Sequence, residues 1–193
     1  TSSRNGFFVH LHGLAVFPIP LDNLKYTSLH DDIYNYKFAA DLGYGGGASI
    51  GYNFSYFFVA ANYDYIHYPF TLVDDREIIN HVSDVDALGK KGTVDNHLIT
   101  LGGGLRAGER FGFSLGAYYG FDLMTINQLA YLPTLSLRQT HIIGQLELDY
   151  IFSDRLKLGL LARYDYGFAA NNDIIYVGNT HLLGAGASCT ILF

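Results

Sequence analysis

Residues 111–123, FGFSLGAYYGFDL, alternate strictly: Phe111, Phe113, Leu115, Ala117, Tyr119, Phe121 and Leu123 fall on one side of an extended chain. Gly112, Ser114, Gly116, Tyr118, Gly120 and Asp122 fall on the other. Successive side chains of a strand point to opposite faces, so a period of two predicts a strand with one apolar face. The same pattern recurs over 7–17, 38–54, 57–65, 96–107, 142–152, 156–168 and 182–193. That makes eight strands. In 38–54 the apolar set is Phe38, Ala40, Leu42, Tyr44, Ala48, Ile50, Tyr52 and Phe54, and the opposite set includes Asp41, Gly43, Gly45, Gly47, Ser49 and Asn53.

The links alternate in length. NFSY (53–56), AGER (107–110) and SDR (153–155) are tight turns, whereas 18–36, 69–95, 124–140 and 169–180 are long. An even strand count with short turns at one end and long loops at the other is the pattern of a transmembrane barrel. The spacing within 74–92 would also allow a short helix.

A soluble eight-stranded barrel would place the apolar face inside, and a membrane barrel would place it outside. The polar faces decide between them. Water-facing strands are rich in Lys, Glu, Asp and Arg; these faces are rich in Gly, Ser, Ala and Thr, which suit a narrow interior. Aromatic residues give a second criterion. Tyr52, Phe54, Phe57, Phe111, Phe113, Tyr150, Phe152 and Phe193 lie toward the short turns. Phe17, Phe38, Tyr63, Tyr65, Tyr119, Phe121, Tyr164 and Tyr166 lie toward the long loops, with an aliphatic band between. Two such girdles are what bilayer interfaces select. The expectation is an all-β fold, an eight-stranded antiparallel up-and-down transmembrane β-barrel forming one domain over 1–193.

Composition agrees. Charged residues are only 16% against a usual value of about 25%, and no apolar run is long enough for a membrane helix. The net charge of −6 with no basic cluster argues against nucleic acid. Cys189 is the only cysteine, which excludes an intrachain disulfide.

With these features the chain resembles the small bacterial outer-membrane barrels of the OmpA transmembrane domain, OmpX and OmpW class. The resemblance rests on strand count, loop asymmetry and the terminal Phe193 in CTILF. It implies a bacterial outer-membrane location with both termini periplasmic and a signal peptide already removed. It implies outer-membrane lipids, including a lipopolysaccharide-type glycolipid, as surroundings, and recognition of Phe193 by the outer-membrane assembly machinery.

The inward charges are the candidate lumen network: Asp41, Asp64, Arg106, Glu147, Asp149, Lys157, Arg163 and Asp165, with Asp122 on the same face. Counting from the SDR turn puts Glu147 and Arg163 at similar heights, so the expectation is that they pair. The bland reading of the network is a plug; the functional one is a gated conductance. His10 and His12 share a face and could chelate a metal, but no third ligand is evident, so neither metal nor cofactor is expected. His97, His141, His181, Ser136 and Asp122 could gather near the rim as in a lipid-modifying enzyme, without any local motif to support it. No catalytic residue is assigned. The loops offer an apolar binding surface of Ile19, Leu21, Leu24, Leu129, Tyr131, Leu132, Ile174, Ile175 and Tyr176. The function expected first is binding or passage of small hydrophobic molecules. A structural or adhesive role through loops meeting a host surface comes second, and lipid A modification third.

Overall fold

The computed structural model describes residues 5–19, 24–27, 33–77, 89–108, 110–127, 134–172 and 175–193. Eight strands close into an antiparallel barrel: β1 (Gly6–Ile19), β4 (Gly43–Phe54), β5 (Phe57–Glu77), β6 (Lys91–Gly108), β7 (Phe111–Asn127), β8 (Leu135–Ser153), β9 (Leu156–Gly167) and β12 (Thr180–Leu192). Pairing runs β5–β4–β1–β12–β9–β8–β7–β6 and back to β5. Stepping across partners from Phe7 through Tyr52, Val59, Gly103, Ala117, Gly144, Tyr164 and Leu183 returns to β1 at Phe17, ten residues along. That stagger sets a steep strand tilt and a lumen just wide enough for side chains.

The apolar face is the outer one. Leu101 is 68% exposed and Leu160 68%, while Asp64, Asp122 and Asp165 are at most 1% exposed. Phe111 and Tyr150, and Phe7 and Tyr52, stack across neighbouring strands near the short turns, with ring centroids 5.1 and 5.0 Å apart. Between the two girdles no outward residue of the eight strands carries a full charge.

Beyond the girdle on the long-loop side the two faces exchange character. On β5 the inward side chains become Ile66, Tyr68, Phe70 and Leu72, all buried, and the outward ones become His67, Pro69 and Thr71. Val94 on β6, Met124 and Ile126 on β7, and Leu135 and Leu137 on β8 complete the same apolar core. Outward at this level stand Thr93, Asp95, Thr125, Ser136 and Arg138. Here four short strands replace β4, β1, β12 and β9 in the wall: β3 (Ile33–Ala40), β2 (Leu24–Thr27), β11 (Ile175–Val177) and β10 (Ala170–Asn171). β3 pairs with the far end of β5, and β2, β11 and β10 follow in order. β10 returns against β8, where Phe168 N–H donates to Thr140 C=O (2.9 Å) and Asn172 Nδ2 to Ser136 C=O (3.4 Å).

Among the described residues the long links are therefore largely sheet. Residues 69–77, 91–95, 124–127 and 135–140 continue the barrel strands as a crown, and over 69–73, 91–95, 124–127 and 135–140 the polarity pattern is inverted. Of the stretch that allowed a short helix, 74–77 is strand and 78–88 lies outside the described residues. The segment 38–54 is not one strand either. β3 ends at Ala40, β4 begins at Gly43, and the Asp41 N–H bonds to Pro69 C=O (2.9 Å).

Candidate functional site: a transverse ion-pair chain in the lumen

β5 and β9 stand opposite each other in the ring of eight, and each carries Tyr-Asp-Tyr, at 63–65 and 164–166. Alternation sends both tyrosines of each triplet outward and its aspartate inward. The two aspartates meet on one cation. Arg163 Nη1 lies 3.0 Å from Asp64 Oδ2, and Arg163 Nη2 lies 3.3 Å from Asp165 Oδ2. The chain continues on both sides: His12 Nε2 is 2.7 Å from Asp64 Oδ1, and His141 Nδ1 is 2.6 Å from Asp165 Oδ1. His141 Nε2 is in turn 3.1 Å from Asp122 Oδ2. Six side chains from β1, β5, β9, β8 and β7 thus form a line of ionisable groups across the barrel. Gly47 gives Asp64 its place, because a Cβ there would stand 2.2 Å from Asp64 Oδ1.

Gln139 caps this layer on the crown side. Its backbone N–H donates to Asp122 Oδ1 (3.1 Å), its Nε2 to Phe168 C=O (2.8 Å), and Thr180 Oγ1 donates to its Oε1 (3.2 Å). Toward the short turns Glu147 accepts hydrogen bonds from the hydroxyls of Ser188 and Ser114, and His10 Nδ1 lies 3.8 Å away. Gly159 leaves room for this cluster. His10 Nδ1 also meets Thr190 Oγ1 at 2.9 Å. Lower still, Arg106 Nη1 donates to Asn53 Oδ1 (2.9 Å), and its guanidinium lies over Phe8 and Phe58 at 5.3 and 5.4 Å. Asp149 and Lys157 share this end, both buried, and the Asp149 carboxylate accepts no hydrogen bond among the described residues.

Several expectations are corrected. Asp41 is exposed at the β3–β4 break and takes no part in the lumen network. Glu147 and Arg163 do not pair. In register Glu147 faces Leu161, and Arg163 faces Gln145, one inward step nearer the crown. The Arg163 guanidinium turns to the two aspartates there, and Glu147 is left to hydroxyl donors. Ile175 is not a surface residue: it is 2% exposed and points into the crown core. Ile19 is exposed, and Tyr176 is half-buried with Lys25 Nζ 5.7 Å from its ring. Leu21, Leu129, Tyr131, Leu132 and Ile174 lie outside the described residues, as does the side chain of Leu24, whose backbone pairs with Val177.

The rim residues do not assemble as an enzyme. His141 and Asp122 belong to the lumen chain, whereas His97 and His181 point outward from β6 and β12, and Ser136 is exposed on β8. Among the described residues no three His, Cys, Asp or Glu side chains are arranged to hold a metal. His12 is engaged by Asp64 rather than turned toward His10 as a chelate.

The sequence reading missed a polar hub on the outside of the crown base. Asp95 accepts from Tyr65 Oη (2.6 Å) and Asn127 Nδ2 (2.8 Å), with His67 Nδ1 at 2.8 Å. Partial burial alone would raise the Asp95 carboxyl. The Tyr65 and His67 hydrogen bonds, with the His67 charge, outweigh it and hold the group below the ordinary carboxylate range. The signal was present as His67 and Asp95 in direct register on the outward face.

No family model and no curated protein matches the sequence. Solved structures do match its fold. Neisserial surface protein A shares 15% identity at a TM-score of 0.59, with 97% of each chain covered. The outer membrane protein OprG from Pseudomonas aeruginosa gives 12% identity and a TM-score of 0.52, over 96% of this chain and 95% of that one. The outer membrane protease OmpT from Escherichia coli gives 9% and 0.51, over 100% and 99%. At such identities the likeness is one of fold: this is the fold of small outer-membrane barrels.

Proposed function

We propose that the protein is an integral outer-membrane barrel, sealed to passage along its lumen, that acts without catalysis at the cell surface through its crown. The observation that carries this reading is the exchange of polar and apolar faces on β5, β6, β7 and β8 at one height. Below that height an apolar exterior suits lipid and a polar interior must pair its own charges. Above it a polar exterior suits water and an apolar interior forms an ordinary core. The crown is thus held by packing, as a soluble β-domain is, on strands continuous with the barrel.

Two successive layers obstruct the lumen: the ion-pair chain through Arg163, and the apolar crown core above it. A small apolar solute would have to part both, so the structural or adhesive role is better supported than passage. The direct test is the conductance of the purified chain in a planar bilayer. The expected record has no unitary steps above the bare membrane; reproducible steps of fixed size would overturn the sealed barrel.

A further inference from the structure

The outward halves of the two Tyr-Asp-Tyr triplets build the same unit twice. On one side Tyr63 Oη and His97 Nδ1 are 2.8 Å apart, and the Tyr63 and Tyr65 rings lie 6.2 and 5.2 Å from the His97 ring. On the other, Tyr164 Oη and His181 Nδ1 are 2.7 Å apart, and the Tyr164 and Tyr166 rings lie 6.1 and 5.1 Å from the His181 ring. In both, the second tyrosine faces the histidine directly in register, Tyr65 with His97 and Tyr166 with His181. β5 and β6 map onto β9 and β12 by a half-turn of the ring, so the units stand on opposite sides.

Both units sit where the outward face passes from apolar to polar, the level of lipid headgroups. A tyrosine hydroxyl donating to Nδ1 puts the imidazole proton on Nε2, leaving an N–H to donate elsewhere; a protonated ring leaves one too. The acceptor this favours is an anion. Beside the first unit Arg138 is exposed, lies over Phe121 at 5.2 Å, and shares a rung with His97 through Leu123. The nearby acid, Asp95, is already engaged by Tyr65, His67 and Asn127. Below lie Leu101 and Ile99 at one unit and Leu183 and Leu160 at the other, all exposed and fit to pack against acyl chains.

We infer that the two Tyr-x-Tyr/His units are paired binding sites for the phosphate headgroup of an outer-leaflet lipid, the His97 unit being the stronger through Arg138. This rests on the membrane reading above and names the lipid partner of that surface. An N–H donor at each unit, joined by Arg138 at one, and an exposed aliphatic flank at the same membrane-fixed height favour a lipid phosphate over a freely diffusing polyanion.

Native mass spectrometry of the whole chain released from detergent micelles tests it, with dioleoyl phosphatidic acid, dioleoyl phosphatidylcholine and inorganic phosphate as probes. The expected result is retention of up to two phosphatidic acid molecules and no comparable retention of phosphatidylcholine. His97→Phe and His181→Phe should each remove one, and the double variant both; Arg138→Gln should weaken one site about tenfold. Tyr164→Phe, a gentler change, should weaken only the His181 site. Equal retention by the double variant, or of both lipids alike, would overturn the proposal. Displacement by millimolar phosphate would overturn its lipid part by marking a site for the free ion. Variants are compared only when their folded migration and bilayer insertion match the parent, so a failure of the membrane reading appears separately from a failure of lipid retention.

Discussion

Arg163 holds two aspartates from opposite walls and is itself buried, so removing it should cost far more than a surface ion pair. Arg163→Met removes the one cation shared by Asp64 and Asp165 and leaves each buried carboxylate only its histidine neighbour, and the expected loss is about 3–5 kcal/mol. Replacing all three, as Asp64→Asn, Arg163→Met and Asp165→Asn, should recover much of that loss, because the two carboxylates that Arg163 balances are removed with it. Denaturant unfolding in lipid vesicles measures both. A single-variant cost below about 1 kcal/mol would mean the chain is not a cross-brace. The inward direction of these charges was legible from alternation alone. Their partners were not. Heights counted from a turn treat a side chain as ending at its Cβ, and Arg163 reaches across the lumen to Asp64 on a strand remote in sequence as well as to Asp165 two residues on. Asp41 failed differently: the break at 41–42 ends the alternation on which its placement depended.

The strands were readable wherever polar and apolar residues alternate with a constant sense, which is between the girdles. Past Tyr65 the sense inverts, and Ile66, Tyr68, Phe70 and Leu72 carry the apolar phase on the inward positions. A reading that expects apolar residues outside loses the strand at that point, although the period of two persists. The same inversion shows in Met124 and Ile126 and in Leu135 and Leu137. If the crown is a packed element rather than a set of loops, truncating its core should loosen it locally. Tyr68→Ala is expected to cost about 3–5 kcal/mol. It should speed amide exchange over 66–72, 92–96 and 135–139, with the exchange of 98–106 nearly unchanged. Fast exchange over the crown of the unaltered protein would refute a packed crown.

On the scale of the molecule, a membrane barrel and a water-facing crown share four continuous strands, and the join is one rung around Tyr65 and His97. The ion-pair chain, with Gln139 above it, lies on the inside near that level, and the repeated Tyr-x-Tyr/His units lie outside it. The repeated triplet was visible in the sequence as YDY at two places, but only ring closure puts its two copies on opposite strands. Along a single strand the surroundings therefore change from lipid to water. Single cysteines placed outward on β5 and β6 in a Cys189→Ser background, at Val59, Leu101, Ile99 and Val73, can be challenged with a membrane-impermeant maleimide in proteoliposomes. The Val59, Leu101 and Ile99 positions are expected to be protected, and Val73, 49% exposed on the crown, to be labelled rapidly. Uniform labelling along the strand from Val59 to Val73 would contradict this change of surroundings.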